Sequence, residues 1–231
     1  MFKITDTERK NIINGFIESG VFIPCSDGII IDKNAVIGKG TTVLPNTVID
    51  GSCVIGSDCV IGPGCFLADT KVGDNTTLNN TQSENAEIGS GVTCGPYVHI
   101  RPNSFIKNNV HIGNFVEVKN STVDDGTKLP HLLYIGDSDV GKDVNFGCGC
   151  VTVNYDGKNK SRTTVKDGAF IGCNTNLVAP VTVGNNAYTA AGSTVTGDVP
   201  DNALVIARVR QVVKKDWVLS KKPYKRQHTE K

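Results

Sequence analysis

Ile31-Asp-Lys-Asn-Ala-Val-Ile37-Gly-Lys-Gly-Thr-Thr-Val43-Leu-Pro-Asn-Thr-Val-Ile49-Asp-Gly-Ser-Cys-Val-Ile55-Gly-Ser-Asp-Cys-Val-Ile61-Gly-Pro-Gly-Cys-Phe-Leu67 returns an aliphatic residue at every sixth position. Gly38, Gly56 and Gly62 follow three of these residues directly. A period of six fits neither the 3.6-residue turn of a helix nor the two-residue alternation of a long strand. It fits strands of a few residues, each closed by a tight turn that glycine can make. Three such strands close one triangular coil of about 18 residues, and stacked coils bury the aliphatic column. The fifth place of each hexad is small: Ala35, Thr41, Thr47, Cys53, Cys59, Cys65. In this repeat that place also faces inward, so the three cysteines read as small core residues and not as disulfide partners or zinc ligands.

Beyond Leu67 the frame slips through Val72-Gly73 and an irregular stretch, then resumes at Ile88, Cys94, Ile100, Ile106, Ile112 and Val118. It shifts by one residue to Val123, Leu129 and Ile135, and again to Val140, Phe146 and Thr152. After an interruption it runs through Val165, Ile171, Leu177, Val183, Thr189 and Val195. About 165 residues of repeat at about 18 per coil predict about nine coils. At the start, Ile12, Ile13, Phe16 and Ile17 lie at helical spacing, with Asp6 or Thr7 as N-cap and Gly20 as the stop. A short helix there covers the first coil, as a solenoid requires. The expected organisation is a capping helix over 1–20, a β-helix over 21–201 and a basic arm, irregular or partly helical, over 202–231.

Composition narrows the class. The chain has 231 residues, 39% hydrophobic and 20% charged, which excludes disordered, collagen-like and coiled-coil proteins. No 18 apolar residues run together, so no membrane-spanning helix is expected, and the first ten residues lack the apolar core of a secretory signal. Eight cysteines in such a chain read as reduced thiols of a cytoplasmic protein. The net charge of +1 is unevenly spread: residues 208–231 hold nine basic and two acidic residues, against 15 basic and 21 acidic in the rest. A basic tail suits a nucleic-acid arm or an anion-binding strap, but the acidic body repels nucleic-acid phosphates, so no nucleic-acid partner is expected.

The repeat gives an address to every outward residue, because equivalent positions on successive coils stack about 4.8 Å apart. Arg101 follows Ile100 and Lys119 follows Val118, one coil on, so both leave the same face on neighbouring rungs. Two stacked cations, one able to bind in bidentate fashion, suit a phosphate; two solvated surface charges are the alternative. On another face, counting two residues past each aliphatic position gives Asn114, His131, Cys148, Cys173 and Ala191, with 153–164 treated as a looped-out insert. A line of small residues leaves a groove for an extended ligand, and a histidine at its end is placed to act as a base. The insert is polar, basic and too long for a plain connection, a common trait of functional loops.

Seven runs carry a specific resemblance: Ile100-Arg-Pro102, Gly113-Asn-Phe-Val-Glu-Val-Lys119, His131-Leu-Leu-Tyr-Ile-Gly-Asp137, Val144-Asn-Phe-Gly147, Val153-Asn-Tyr-Asp-Gly157, Asn176-Leu-Val-Ala-Pro-Val181 and Ala190-Ala-Gly-Ser-Thr-Val195. Together they resemble the acetyltransferase domain of the bacterial bifunctional N-acetylglucosamine-1-phosphate uridyltransferase / glucosamine-1-phosphate N-acetyltransferase family. The resemblance implies an all-β, left-handed parallel β-helix that forms a homotrimer. It implies acetyl transfer from acetyl-CoA to glucosamine 1-phosphate, for UDP-N-acetylglucosamine and cell-wall synthesis, without a metal. It makes His131 the base and assigns Arg101, Lys119, Tyr134, Asn145 and Lys160 to the sugar phosphate. Cys148, Asn154, Tyr155, Cys173, Ala191 and Arg208 fall to acetyl-CoA. Cys148 and Cys173 stand where other members carry Ala and Ser. The uridyltransferase half has no counterpart among these residues, so the chain reads either as a stand-alone acetyltransferase, with a separate uridyltransferase as a partner, or as a domain cut from a longer protein.

Three rival readings follow from the fold. A β-helix acyltransferase for another anionic amino sugar uses the same Arg101–Lys119 pair. A zinc protein of the γ-carbonic-anhydrase type needs two histidines a few residues apart plus a third, whereas His99, His111 and His131 are 12 and 20 apart. A non-catalytic scaffold explains the repeat but not the His131 column.

Overall fold

The computed structural model describes residues 4–221. Strands such as Val36–Ile37 and Val54–Ile55 are two residues long, with the first side chain outward and the second buried. Each such two-residue strand turns one large side chain inward, and parallel pairing stacks these residues in columns. The first face carries Ile31, Ile49, Leu67, Ser83, Ile100, Val118, Ile135, Thr152, Leu177 and Val195 on ten successive rungs. The second carries Ile37, Ile55, Val72, Ile88, Ile106, Val123, Val140, Val165 and Val183. The third carries Val43, Ile61, Leu78, Cys94, Ile112, Leu129, Phe146, Ile171, Thr189 and Val205. The architecture is the parallel β-helix that the period predicts, with ten rungs where about nine were expected.

The extra rung hides in the stretch that reads as irregular. Leu78 and Ser83 occupy the third and first faces, and Val72 pairs with Ile88 only 16 residues on, so the coil is complete but its corners are shorter. Ser83 is fully buried where the pattern calls for an aliphatic residue, and its hydroxyl meets that of Thr70 at 3.1 Å. A polar residue in the column masks the period, while its hydrogen bond removes the cost of burying it. The small fifth-place residues are buried as the repeat demands, from Ala35 at 7% to Thr41, Thr47 and Cys53 at 0%.

Two strands are long, His111–Lys119 and Lys128–Gly136. They run unbroken around the corner between the third and first faces, joining them into one 18-stranded sheet while the second face forms a nine-stranded sheet. The corner residues Tyr97, Phe115 and Leu132 all have φ between 49° and 62°, a region where bulky side chains are rare and costly.

At the N-terminus, helix Asp6–Glu18 lies over the first coil, with Ile13 buried in the core. Its N-cap is Thr5, one or two residues earlier than Asp6 or Thr7. The Thr5 hydroxyl accepts the Glu8 amide, and Glu8 accepts the Thr5 amide in return. Gly20 follows the helix with φ 97°. Residues 206–215 after the last rung have no regular structure, and a short helix spans Trp217–Lys221. Lys222, Lys225, Arg226 and Lys231 of the basic tail lie outside the described residues. Among the described residues no helix is long and apolar enough to cross a membrane.

The tightest contacts between coils fall at glycines. A Cβ on Gly38 would stand 2.6 Å from the backbone of Gly56 and Ser57, whereas one on Gly15, in the exposed helix, meets nothing within 4 Å. Gly38→Ala should therefore lower unfolding stability by about 1–3 kcal/mol, and Gly15→Ala should leave it unchanged or raise it by up to about 1 kcal/mol. Denaturant melts of the two variants check the pair.

Candidate active site

The pairing Ile100↔Val118↔Ile135 fixes what leaves the first face beside it. Arg101 and Lys119 lie on neighbouring rungs, the Arg101 amide donating to Val118 O at 2.8 Å, and the next rung presents Gly136. With no side chain of its own there, Gly136 leaves a place that a neighbouring ring fills. Arg101, Lys119, Asp137, Lys160 and Arg162 line a cavity of about 530 Å³ with Asn103 and Asn120. Tyr134 folds back over Gly136, where a Cβ would sit 2.5 Å from its hydroxyl oxygen.

The two stacked cations are each matched by a carboxylate. Arg101 Nη1 lies 2.9 Å from Glu117 Oε1, and Lys119 Nζ donates to both oxygens of Asp137, at 3.2 and 3.1 Å. Arg162 holds Asp139 through two nitrogens, at 2.9 and 2.5 Å. Lys160 has no carboxylate partner among the described residues. Four cations against three carboxylates leave the cavity with a net positive charge and room for an anion.

Asp137 is the residue that sequence reasoning passed over. It is 4% exposed, and its carboxylate accepts from Lys119, from Asn120 Nδ2 at 2.5 Å and from Asn154 Nδ2. Burial alone would raise its pKa, but the hydrogen bonds from Asn120, Lys119 and Asn154 outweigh it and hold the carboxyl below the usual range. At φ 47° in a corner it reads in sequence as a turn residue.

The insert is shorter than 153–164. Val153 ends strand Val151–Val153 and Thr163 opens strand Thr163–Val165, so the loop proper is Asn154 to Arg162. It is pinned at both ends: Ser161 N–H donates to Asn154 O at 2.9 Å, and Arg162 donates to Asn120 O and Ser138 O at 3.2 and 3.0 Å. Inside, Asp156 caps the turn by accepting the amides of Lys158 and Asn159 at 2.7 and 2.6 Å. The loop is thereby held so that Lys160 lines the first-face cavity.

The counted column is in register. Asn114 pairs with His131, Gly149 N–H donates to His131 O, Asn174 N–H to Cys148 O and Gly192 N–H to Cys173 O, and Arg208 Nε reaches Ala191 O at 2.9 Å. Beside it the coils pack closely: a Cβ on Gly147 would meet the Cys173 amide of the next coil at 2.5 Å, and one on Gly172 the Ala191 amide at 2.7 Å. Asn145 points out of the same third face, next to the stacked rings of Phe170 and Tyr188, 5.2 Å apart.

One chain therefore brings together Arg101, Lys119, Tyr134, Asn154 and Lys160 on the first-face side. It sets His131, Asn145, Cys148, Cys173, Ala191 and Arg208 apart on the third face. Tyr155 is exposed in the loop, bridged to Lys160. Of the three histidines weighed as zinc ligands, His99 lies on the first face and His111 and His131 on the third. Among the described residues no three His, Cys, Asp or Glu side chains converge on a metal-sized site.

A triangular parallel coil of hexads, with a line of small outward residues on one face and a cationic cavity on another, defines a hexapeptide-repeat protein. The bacterial transferase hexapeptide (six repeats) model matches residues 34–69 and 162–197, and the chain carries that family's repeat in both stretches. It is 48% identical over 219 residues to the bifunctional protein GlmU of Clostridioides difficile, covering 95% of this chain and 48% of that protein. Identity to GlmU of Geobacillus sp. is 61% over 150 residues, 65% of this chain and 33% of that protein. The chain thus spans a third to a half of the length of these relatives. Its overlap with the solved Francisella novicida UDP-N-acetylglucosamine acyltransferase is slight, with 20% identity and a TM-score of 0.37 over 77% of this chain and 67% of that one.

All eight cysteines are free, and their exposure follows the register. Burial raises the thiol pKa of Cys53, Cys59 and Cys65, and pushes Cys150 up to about 11 and Cys94 to about 12. Mild alkylation of the native protein should label Cys25 and Cys173, then the half-buried Cys148, and spare the other five. Peptide mapping by mass spectrometry checks this; label on Cys53, Cys59 or Cys65 would contradict their inward register.

Proposed function

We propose that the chain is an acetyl-CoA-dependent N-acetyltransferase that converts glucosamine 1-phosphate to N-acetylglucosamine 1-phosphate, the precursor for UDP-N-acetylglucosamine and cell-wall synthesis. The observation that carries this reading is a histidine at the foot of a bare groove together with a cationic cavity, in a chain 48% identical to GlmU across nearly its whole length. Acetyl-CoA supplies an activated thioester. The groove suits its extended arm, because Cys148, Cys173 and Ala191 add little bulk. Arg208 at the far end suits a coenzyme phosphate, and Asn154 and Tyr155 are assigned to the same ligand.

In this reading Arg101, Lys119 and Lys160 hold the phosphate, and Tyr134 and Asn145 hold the sugar. The amine nitrogen bonds to the thioester carbonyl carbon while His131 takes the amine proton; the carbon–sulfur bond then breaks and that proton goes to the departing thiolate. No step requires a metal. The two residue sets leave different faces, so a complete site needs the third face of one copy against the first face of another. Closing such a heterologous contact on a triangular prism favours a homotrimer. The eight unpaired thiols support a reducing cytoplasm.

Three results are expected. Assay of coenzyme A release over a panel of amino-sugar phosphates should show fastest turnover with glucosamine 1-phosphate; preference for another anionic amino sugar would reassign the acceptor. His131→Ala should lower kcat by about 10²–10⁴, whereas Arg101→Ala should mainly raise KM for the sugar phosphate, since a phosphate clamp binds ground and transition states alike. Light scattering should give three times the chain mass, and a monomer at working concentration would exclude the shared site.

A further inference from the structure

Asp137 belongs to neither set of binding residues above, yet both meet on its carboxylate. One partner is Lys119, from the rung before it, whose ammonium spans both carboxylate oxygens. Another is Asn154, 9% exposed, at the root of the insert loop on the rung after it. The third is Asn120, also from the rung before. The backbone repeats the connection: the Asp137 amide donates to Lys119 O at 2.9 Å, and the Thr163 amide, where the loop ends, donates to Asp137 O at 3.1 Å. Asn154 Nδ2 also lies 3.5 Å from the Tyr134 hydroxyl.

Resting on the proposed acetyl transfer, we infer that Asp137 is a positioning residue that fixes the Lys119 ammonium and the Asn154 amide in one geometry and so couples binding of the acceptor phosphate to binding of the coenzyme. A flexible lysine stem has many rotamers, and an ammonium held at a buried carboxylate enters the cavity from one direction only. The Asn154 side chain has two faces, and an acceptor-only carboxylate on its Nδ2 leaves the carbonyl oxygen to point elsewhere. Movement of one partner therefore changes the charge that the other feels. Arg162 is a different case: its contacts are Asp139 and two backbone carbonyls, which anchor the loop without touching either partner.

Steady-state kinetics of the full chain with acetyl-CoA and glucosamine 1-phosphate test this. Asp137→Asn keeps the shape but turns an acceptor oxygen into a donor facing Lys119 or Asn154. It should raise KM for the sugar phosphate about tenfold or more and KM for acetyl-CoA at least about threefold, with kcat within about threefold. Added to Lys119→Ala, it should raise the sugar-phosphate KM no further than about twofold, because the two changes remove one interaction. A carboxylate with only a structural role would lower the melting temperature and the active fraction and leave both KM values alone; that result overturns the inference. Should Asp137→Asn fail to fold, Asn154→Ala decides: it should raise KM for the sugar phosphate, which it is not assigned to bind, by about threefold, and an unchanged value overturns the inference. A folded wild-type chain that releases no coenzyme A with any amino-sugar phosphate overturns the functional reading and this inference together. An active wild type with unaltered variants overturns the inference alone.

Discussion

Every functional position in this molecule depends on the inward column of aliphatic side chains. Each coil contributes a column residue and a small fifth-place residue to the core on each face, and the rung hydrogen bonds between parallel strands lock neighbouring coils in register. A residue that slipped by one place would turn its whole strand inside out, placing polar and charged side chains in a core whose residues are almost all fully buried. The prism is therefore a ruler. Side chains 16 to 18 residues apart in the chain stand one rung apart in space, which is how Arg101 and Lys119 come to form a two-cation ladder, with Gly136 on the next rung under the Tyr134 ring.

The ladder is not a bare patch of positive charge. Glu117 and Asp137 offset its two cations, and Asp139 offsets Arg162. Such pairs cost little at the surface, where Arg101 and Glu117 are about two-fifths exposed. The side chains of Lys119 and Asp137 are only 18% and 6% exposed, so their pairing is screened far less. The arrangement keeps long side chains preorganised, so that in the proposed reaction the sugar phosphate would meet donors already aimed instead of a crowd of repelling cations.

Much of this was legible in the sequence, for a physical reason. A six-residue period in aliphatic positions reports the coil directly, and the 18-residue spacing of Arg101 and Lys119 follows from it. The His131–Cys148–Cys173–Ala191 column was also countable, even across the loop, because an excursion at a corner leaves the rungs on either side in register. What escaped were residues whose role lies in what they pair with. Ser83 hides a rung because a buried hydroxyl bonded to Thr70 looks like a break in the pattern. Asp137 looks like one more corner residue among Asp69, Asn85, Asn103 and Asn120, all with positive φ. Only the three donors around it set it apart. Nor could the sequence show that the corner residues Tyr97 and Phe115 stack their rings 5.4 Å apart beside the candidate site.

The central claim is that the register sends the two halves of the site out of different faces, so that a working site needs two copies of the chain. Subunit complementation tests it directly. Chains carrying His131→Ala keep an intact first face, and chains carrying Arg101→Ala with Lys119→Ala keep an intact third face. Each variant alone should be nearly inactive in coenzyme A release, and dissociated, mixed and reassembled oligomers should regain a substantial part of wild-type activity. Mixtures no more active than the separate variants, although shown to contain both chains, would mean that the base and the clamp act within one chain and would contradict the account.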